Sequence, residues 1–328
     1  MIASRSYCRP EPQHIGSQSP YASHRQTMIR FDQRVAIVTG AGKGLGRAYA
    51  EYLAARGARV VVNNRRHLVD ANGRTSADEV VSAICEAGGE AIANYDSVED
   101  PGAGERMVEQ ALDTWGRLDV LINNAGVGQH RTFHKASVAE FLDIFDINFF
   151  GTLYVTHAAY ARMRAAGYGR IVVSTSSAGL YGLHGSTAYA ASKAALVGLI
   201  RTLAGEGRSH NVLSNAIAPY AATQLTAGEN SPEFLATMRP EWVAPMLAYL
   251  ASEQTRLNGE VIVAGKGAFR RAAVMEGAGI GYTDAHALTP ETVARDVEQI
   301  VDMKAAGEFA DAMASFNDLF QAHRGIVG

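Results

Sequence analysis

Short apolar runs alternate with longer segments of helical periodicity from Arg34 onward. The runs are rich in β-branched residues and apolar at nearly every position, as is typical of strands that are buried on both faces of a parallel sheet. The pattern therefore predicts an α/β fold, a doubly wound parallel sheet with helices on both faces. The predicted strands are Val35–Val38, Val60–Asn63, Ala91–Tyr95, Val120–Asn123, Ile171–Ser174, Val212–Ile217 and Val261–Val263.

Apolar residues at helical spacing predict an amphipathic helix between the first two strands. The stripe runs from Leu45 to Leu53 at positions i, i+3, i+4, i+7 and i+8, and the helix is expected to end at Gly57. Ser76 and Glu79 have the spacing of a capping box and predict the start of the next helix. Further helices are expected over Phe141–Ala166, Ala188–Gly205 and, near the C-terminus, roughly 290–304 and 308–321.

Composition and periodicity divide the chain into three regions. Residues 1–29 are rich in Ser, Arg, Gln and Pro and lack helical periodicity, so we expect a disordered extension or a start assigned too early, ahead of Met28. Residues 30–267 carry the regular alternation and are expected to form one catalytic domain. Residues 268–328 begin with a glycine-rich stretch and are expected to form a C-terminal helical extension of that domain.

The overall composition is that of a globular protein, with 47% hydrophobic and 19% charged residues among 328. The net charge is −3, to which residues 1–30 contribute +3, so the remaining body is acidic and no nucleic-acid partner is expected. No apolar stretch approaches the roughly 20 residues of a membrane span. Cys8 and Cys85 lack the spacing of metal ligands or of a disulfide framework. We expect a soluble cytoplasmic protein that binds no metal and acts on a small molecule.

The first predicted strand runs directly into a glycine-rich turn, T-G-A-G-K-G-L-G at residues 39–46, and then into the first helix. Glycines allow the backbone to approach a pyrophosphate, which the N–H groups at a helix N-terminus stabilise. The spacing departs from G-x-G-x-x-G, and Lys43 is not followed by Ser or Thr, which disfavours a nucleotide triphosphatase. The turn predicts a Rossmann-like dinucleotide-binding domain.

A tyrosine and a lysine four residues apart, Tyr189 and Lys193, lie on one face of a predicted helix. Such pairs are common on helix surfaces, but a fixed ammonium favours a phenolate and predicts a lowered pKa for Tyr189. Ser176 follows the fifth strand, so its hydroxyl is expected at the carboxyl edge of the sheet, where open α/β sheets bind ligands. Asn148 precedes the same strand, and residues 123–126, Asn-Asn-Ala-Gly, end the fourth strand at that edge.

Together, the T-G-x3-G-x-G string, the Asn-Asn-Ala-Gly motif, Asn148, Ser176 and the Y-x3-K pair resemble the short-chain dehydrogenase/reductase family. The resemblance runs from about Phe31 to the C-terminus. Within the family, residues 47–50, 93–98, 217–219 and 288–291 resemble the (3R)-hydroxyacyl-CoA dehydrogenase domain of peroxisomal multifunctional enzyme type 2. One departure is that Pro219 is followed by Tyr220 where the family often has glycine, which alters the expected shape of the substrate edge.

The resemblance implies a role for each matching residue. Tyr189 would be the general acid/base, Lys193 would lower its pKa and hold the nicotinamide ribose, and Ser176 would orient the carbonyl. Asn148 would anchor a water-linked proton relay. The expected cofactor-binding residues are Gly40, Gly44 and Gly46 along the pyrophosphate, Lys43 and Leu45 in the same turn, Asp96 facing the adenine, Asn124 holding the adjacent loop, and Tyr189 and Lys193 themselves.

The activity that the resemblance implies is hydride transfer between a nicotinamide cofactor and a secondary alcohol or ketone, expected to be a 3-hydroxyacyl-CoA and 3-oxoacyl-CoA pair. A steroid or other bulky ketone remains an alternative substrate. A catalytically silent dinucleotide-binding protein is a further alternative, which the intact set of Asn148, Ser176, Tyr189 and Lys193 disfavours. Family members pair through the helices after the fourth and fifth strands, so a homodimer or homotetramer is expected.

The residues after the second strand predict a preference for NADP, with NAD as the alternative. An NAD-dependent enzyme usually has a carboxylate there that binds the adenosine ribose and repels a 2′-phosphate. This chain has neutral Asn64, followed by Arg65 and Arg66, while Lys43 lies in the glycine-rich turn. The two arginines would otherwise begin a solvated loop. Elsewhere, His184 is expected to be an ordinary loop histidine, and Arg270 with Arg271 a solvated pair.

Overall fold

The computed structural model describes residues 28–65, 73–128, 130–222, 231–282, 284–285 and 288–322. The described strands form one sheet in the order β3-β2-β1-β4-β5-β6-β7-β8. Strands β1 to β7 are parallel and β8 is antiparallel to β7. All seven strands predicted from the apolar runs are confirmed. The strands are β1 (Val35–Val38), β2 (Arg59–Asn63), β3 (Glu90–Asn94), β4 (Val120–Asn123), β5 (Gly169–Ser174), β6 (Val212–Tyr220), β7 (Val261–Gly265) and β8 (Ala268–Ala272).

Helices cover both faces of the sheet, which confirms the doubly wound architecture. Successive residues of β1 lie on opposite faces of the sheet. Val35 and Ile37 belong to one apolar core, and Ala36 and Val38 belong to the other. The first core is covered by α3, α5 and α7, and the second by α1, α2 and α9. The helices are α1 (Gly44–Ala54), α2 (Ser76–Glu86), α3 (Ala103–Trp115), α4 (Val138–Phe145), α5 (Gly151–Ala166), α6 (Ser177–Tyr181), α7 (Thr187–Gly207), α8 (Pro232–Thr237), α9 (Ala244–Ala251), α10 (Pro290–Ile300) and α11 (Ala312–Ala322).

The direction of winding reverses between β1 and β4. The chain first adds β2 and β3 on one side of β1, then returns to place β4 on the other side and continues outward to β7. Crossover helices leave β1 and β4 on opposite faces, which opens a crevice at the carboxyl ends of these strands. The glycine-rich turn after β1 and the Asn-Asn-Ala-Gly motif after β4 meet at this crevice.

Two local predictions about the helices are wrong. The single helix expected over Phe141–Ala166 is interrupted, because residues 146–150 form a π-helical turn between α4 and α5. The capping box of α2 uses Thr75 and Asp78, each one residue before the predicted Ser76 and Glu79. Thr75 has the extended backbone of an N-cap, and its hydroxyl accepts the N–H of Asp78.

The region after residue 267 contains a strand, which the sequence did not predict, ahead of its two helices. Its first residues form β8, joined to β7 by a two-residue turn at Lys266 and Gly267, with φ of 50° and 73°. Positive φ at both positions matches the turn that suits the twist of a β-hairpin. Helices α10 and α11 follow, within a few residues of their predicted bounds. Arg271 is not solvated freely, since it pairs with Glu260 and with Glu308 of the extension.

Residues 1–27, and with them nearly all of the expected N-terminal extension, lie outside the described residues. The described chain begins at Met28, and the carbonyl of Ile29 accepts a hydrogen bond from Arg56. In the part that the structure describes, no helix is both long and apolar enough to cross a membrane.

Candidate active site

The glycine-rich turn after β1 is packed so closely that side chains are excluded at two positions. Gly40 has a φ of +61°, and a Cβ there would lie 2.8 Å from Ala125 Cα. A Cβ on Gly46 would lie 2.2 Å from the carbonyl oxygen of Gly40. The N-cap of α1, Lys43, makes no side-chain hydrogen bond to the first turn of the helix. The turn and the helix N-terminus thus form an open cradle for an anion.

Polar contacts fix this turn to the end of β4. The hydroxyl of Thr39 accepts the backbone N–H groups of Asn124 and Ala125 at 3.0 and 3.1 Å. In return, Asn124 Nδ2 donates to the carbonyl oxygens of Thr39 and Gly40, both at 3.2 Å. Asn124 therefore fixes the loop after β4 to the glycine-rich turn.

A cleft of about 1390 Å³ extends from this cradle along the carboxyl ends of the strands. Eleven of the thirteen predicted site residues line it, whereas Gly46 and Asn148 lie behind its wall. The lining residues among those predicted are Gly40, Lys43, Gly44, Leu45, Asn64, Arg65, Asp96, Asn124, Ser176, Tyr189 and Lys193.

Asp96 lies at one end of the cleft in a network that begins at β2. Asn63 Nδ2 donates to Asn94 Oδ1 at 2.7 Å and to the Asp96 carbonyl at 2.9 Å. Asn94 Nδ2 donates to one oxygen of the Asp96 carboxylate, and Arg106 Nε donates to the other at 2.7 Å. The strand ends β2 and β3 thus hold Asp96 in a fixed orientation.

The residues expected to determine the preference between NADP and NAD lie at the same end of the cleft as Asp96. Asn64 Nδ2 donates to Ser76 Oγ at 2.9 Å, so this neutral residue is anchored to α2. Arg65 Nη1 is 3.6 Å from a carboxylate oxygen of Glu99, and both side chains are about half exposed. Arg66 lies outside the described residues. Sequence reasoning missed Arg74, which also lines this end of the cleft.

Lys193 is almost fully buried, at 4% exposure, beneath the centre of the cleft. Its Nζ donates to the carbonyl oxygen of Ser174 at 2.7 Å and lies 5.9 Å from the ring centroid of Tyr189. The Thr175 hydroxyl donates to the Lys193 carbonyl at 2.7 Å, which ties α7 to the end of β5. Burial lowers the pKa of Lys193 to about 8, because the apolar interior disfavours the ammonium.

The pKa of Tyr189 in the chain by itself depends on burial, whereas the lowered pKa was expected from Lys193 together with a cationic nicotinamide. Burial raises the pKa of Tyr189, and its hydrogen bond with Ser176 opposes that rise only in part. Burial removes the water that stabilises the phenolate, and the neighbouring groups of the protein replace only part of that stabilisation. Ser176 and Tyr189 both line the cleft.

Asn148 is completely buried within the π-helical turn and touches both neighbouring elements. Its Oδ1 accepts the N–H of Val127 at 2.8 Å, and its Nδ2 donates to the Val127 carbonyl at 3.0 Å and to Ser192 Oγ at 3.1 Å. The Ser192 hydroxyl donates to the carbonyl of Tyr189 at 2.8 Å. Asn148 therefore joins the loop after β4 to the helix that carries Tyr189 and Lys193.

The far end of the cleft is lined by side chains that sequence reasoning did not select. Tyr181, Leu183 and Tyr220 contribute an apolar surface and are 75%, 57% and 48% exposed. His130 and Ser186 add polar groups. No periodicity marks such residues, since they lie in loops that only the fold brings together. His184, in contrast, is an exposed loop residue, as expected.

A glycine cradle at the switch point of a doubly wound sheet, followed along one cleft by Ser176, Tyr189 and Lys193, defines a dinucleotide-dependent oxidoreductase. The family model for short chain dehydrogenases matches residues 34–233. A protein of Mycobacterium tuberculosis named as a short-chain type dehydrogenase/reductase is 42% identical over 281 residues, which are 85% of this chain and 98% of that protein. The chain belongs to the short-chain dehydrogenase family.

Two further proteins that are similar to this chain have more specific names. A 3-oxoacyl-[acyl-carrier-protein] reductase of Synechocystis is 36% identical over 233 residues, 69% of this chain and 92% of that protein. The solved structure of full-length peroxisomal multifunctional enzyme type 2 from Drosophila melanogaster matches with a TM-score of 0.77 and 34% identity. It covers 90% of this chain, which spans only half of the fly chain.

The residues present fit a nicotinamide dinucleotide. The cradle has no room for a Cβ at Gly46, the cleft includes both the cradle and Tyr189, and the polar residues Asn64, Arg65 and Asp96 also line it. Among the described residues, no group of three His, Cys, Asp or Glu side chains is placed to hold a metal ion. The chain is an enzyme of the class that oxidises CH–OH groups or reduces the corresponding carbonyls with a nicotinamide cofactor.

Proposed function

We propose that this enzyme interconverts a 3-hydroxyacyl-CoA and the corresponding 3-oxoacyl-CoA, with NADP as the preferred cofactor. The observation that carries the proposal is that Ser176, Tyr189 and the buried Lys193 line one cleft, which continues from the glycine cradle into an apolar surface. The name of the Synechocystis protein, 3-oxoacyl-[acyl-carrier-protein] reductase, and the similarity to the Drosophila multifunctional enzyme support acyl thioesters as the substrate class.

The chain's own residues account for the proton transfer. In the reducing direction, the hydroxyls of Ser176 and Tyr189 both donate to the substrate carbonyl oxygen, and Tyr189 transfers its proton to that oxygen. The bound nicotinamide supplies the hydride that the carbonyl carbon receives. The resulting phenolate of Tyr189 is stabilised by the Lys193 ammonium and regains a proton through the relay proposed at Asn148.

A substrate panel tests the thioester assignment. Acetoacetyl-CoA, a steroid ketone and a small cyclic ketone are assayed at equal concentration with each cofactor. We expect the highest kcat/KM for acetoacetyl-CoA, because the apolar residues Tyr181, Leu183 and Tyr220 can bury an acyl chain. Inert acetoacetyl-CoA beside rapid turnover of either ketone would contradict the proposal.

The preference for NADP rests on charge at the adenosine end of the cleft. Lys43, Arg65 and Arg74 line it, and neutral Asn64 stands where a carboxylate would repel a 2′-phosphate. Charge-assisted hydrogen bonds from such cations are worth about 1.5–3 kcal/mol each, enough for at least a tenfold preference. Glu99 competes for Arg65, but at 3.6 Å and half exposure this ion pair is weak.

Kinetics with both cofactors tests this preference. The double variant Asn64→Asp, Arg65→Ala should lose kcat/KM for NADP by about tenfold or more and retain that for NAD. Arg47→Ala is the matched control, since Arg47 lies on the exposed side of α1 in an ion pair with Glu51. A wild-type preference for NAD, or unchanged use of NADP in the double variant, would show that these residues do not bind the phosphate.

We further propose a homodimer or homotetramer, in which the faces of α5 and α7 pair. Open space beside Gly198 and Gly205 would let a second helix approach α7 closely. Light scattering at micromolar concentration should give a mass of at least two chains, and a monomer would contradict this.

The exposed, unpaired Cys85 suits a reducing compartment and is in keeping with a cytoplasmic location, which cell fractionation can check.

A further inference from the structure

A histidine and a serine form a polar pair where the loop after β4 meets the start of α7. His130 Nδ1 lies 3.3 Å from Ser186 Oγ, and both residues line the same cleft as Ser176 and Tyr189. Ser186 is only 6% exposed, so its hydroxyl requires a partner within the protein. Among the described contacts, His130 is the partner of that hydroxyl.

The helix does not use this serine as a cap, although Ser186 occupies the N-cap position of α7. Serine at an N-cap normally accepts a backbone N–H from the first turn, whereas the Ser186 side chain accepts none. A cap of this kind stabilises a helix by about 1 kcal/mol. The Ser186 hydroxyl contacts His130 instead.

A backbone hydrogen bond joins the two loops that carry the pair. The N–H of Arg131 donates to the carbonyl of Gly185 at 2.6 Å, and this bridge joins the two loops directly beside the pair. Gly185 has a φ of +75°, and a Cβ there would lie 3.0 Å from two atoms of the His130 ring. The ring therefore rests against the glycine backbone, where a larger residue would displace it.

The pair always has one hydrogen-bond donor to spare. If the serine O–H donates to Nδ1, the neutral imidazole keeps its N–H at Nε2. If Nδ1 carries the hydrogen and donates to Ser186 Oγ, the serine O–H is left over. Either arrangement can offer a donor to an acceptor in the cleft.

We infer that His130 and Ser186 bind the thioester carbonyl oxygen of the substrate, while Ser176 and Tyr189 bind the reacting oxygen. This inference deepens the proposed function and rests on it. A 3-oxoacyl thioester carries a second carbonyl two carbons from the reacting one, which a simple ketone lacks. A site built to hydrogen-bond such an oxygen discriminates against analogues without it. The pair is thus a specificity determinant for the thioester class.

Substrates with and without the second carbonyl separate this role from a structural one. In His130→Ala and Ser186→Ala, kcat/KM for acetoacetyl-CoA should fall about tenfold, as expected for loss of one hydrogen bond. The kcat/KM for cyclohexanone should change less than about twofold, because that ketone never uses the pair. His130→Gln keeps a donor and should recover most of the loss. His184→Ala, an exposed histidine on the same loop as Ser186, serves as the control and should match the wild type.

Three outcomes overturn the inference. Equal losses with both substrates would mean that the pair only shapes the site, and no loss with acetoacetyl-CoA would mean that the carbonyl binds elsewhere. In both cases the wild type still reduces acetoacetyl-CoA, so the proposed function stands. A wild type that reduces cyclohexanone but not acetoacetyl-CoA overturns both proposals together.

Discussion

The buried ammonium of Lys193 is needed for the proposed chemistry and lowers the stability of the folded protein. Its ammonium is buried with one hydrogen bond, to the carbonyl of Ser174, and burial lowers its pKa to about 8 from an ordinary 10.5. A charge that is expensive to bury is retained because it faces Tyr189, whose phenolate it would stabilise. The sequence indicated the pair by its spacing, but burial, which decides both pKa values, follows from the packing of the whole sheet.

Replacing this lysine should make the protein more stable and inactive. Lys193→Met removes the buried charge, so we expect a free energy of unfolding at pH 7 that is higher by about 1–3 kcal/mol. Below pH 8 both folded and unfolded wild type bind the proton, and the cost is constant. Between pH 8 and 10.5 the unfolded state binds more protons, so the wild type gains stability as the pH rises and the variant does not.

Urea unfolding of both proteins at pH 7 and pH 10 measures this difference. The difference in free energy of unfolding between variant and wild type should be smaller at the higher pH. This change isolates the contribution of Lys193, since all other groups are common to both proteins. A variant that is less stable at pH 7, or a gap that does not depend on pH, would contradict a costly buried ammonium.

At the level of elements, the sequence predicted those parts that local periodicity determines. The seven parallel strands and α1 follow from apolar runs and a helical stripe, and all were found. The π-helical turn that carries Asn148 could not be predicted, because its single extra residue leaves the apolar pattern on either side intact. Strand β8 was missed because it is exposed along most of its length, so it lacks the apolar run that identified the others. Its one local signal was the Lys266-Gly267 turn.

The turn at Lys266 and Gly267 makes a prediction about the β7–β8 hairpin. Both residues have positive φ, which costs an ordinary residue about 1–2 kcal/mol and asparagine less. Gly267→Ala should therefore lower the free energy of unfolding by about 1–2 kcal/mol, and Lys266→Asn should raise it by about 0.5–1 kcal/mol. A methyl on Gly267 would only touch the Trp242 ring at 3.4 Å, so backbone strain is the expected cause.

Urea unfolding with a shared baseline compares the two variants with the wild type. Gly88→Ala provides a reference for a positive-φ glycine with open space around it and should show a similar loss. If Gly267→Ala were as stable as the wild type, or Lys266→Asn less stable, the hairpin geometry would be incorrect.

At the level of the whole molecule, the fold gathers residues from distant parts of the chain into one cleft. Gly40 and Tyr189 are far apart in sequence, yet both line it because β1, β4 and β5 are neighbours in the sheet. The sequence motifs predicted most of this set, because the turns that follow β1 and β4 and the Tyr189/Lys193 spacing are local patterns. The substrate side, including His130 and Tyr220, depends on how loops meet and left no signature in the sequence. The C-terminal extension is joined to the body by the pairing of β8 with β7 and by Arg271 of β8, which forms ion pairs with Glu260 and Glu308.

The most direct test of the account is the role of Tyr189 as the proton donor. Tyr189→Phe removes one hydroxyl and keeps the ring that packs in the cleft. We expect the variant to bind NADP with an affinity within a few-fold of the wild type, measured by fluorescence titration, and to lose turnover of acetoacetyl-CoA by at least about 10²–10⁴-fold. Full turnover in this variant would contradict the assignment of the site and of the chemistry built on it.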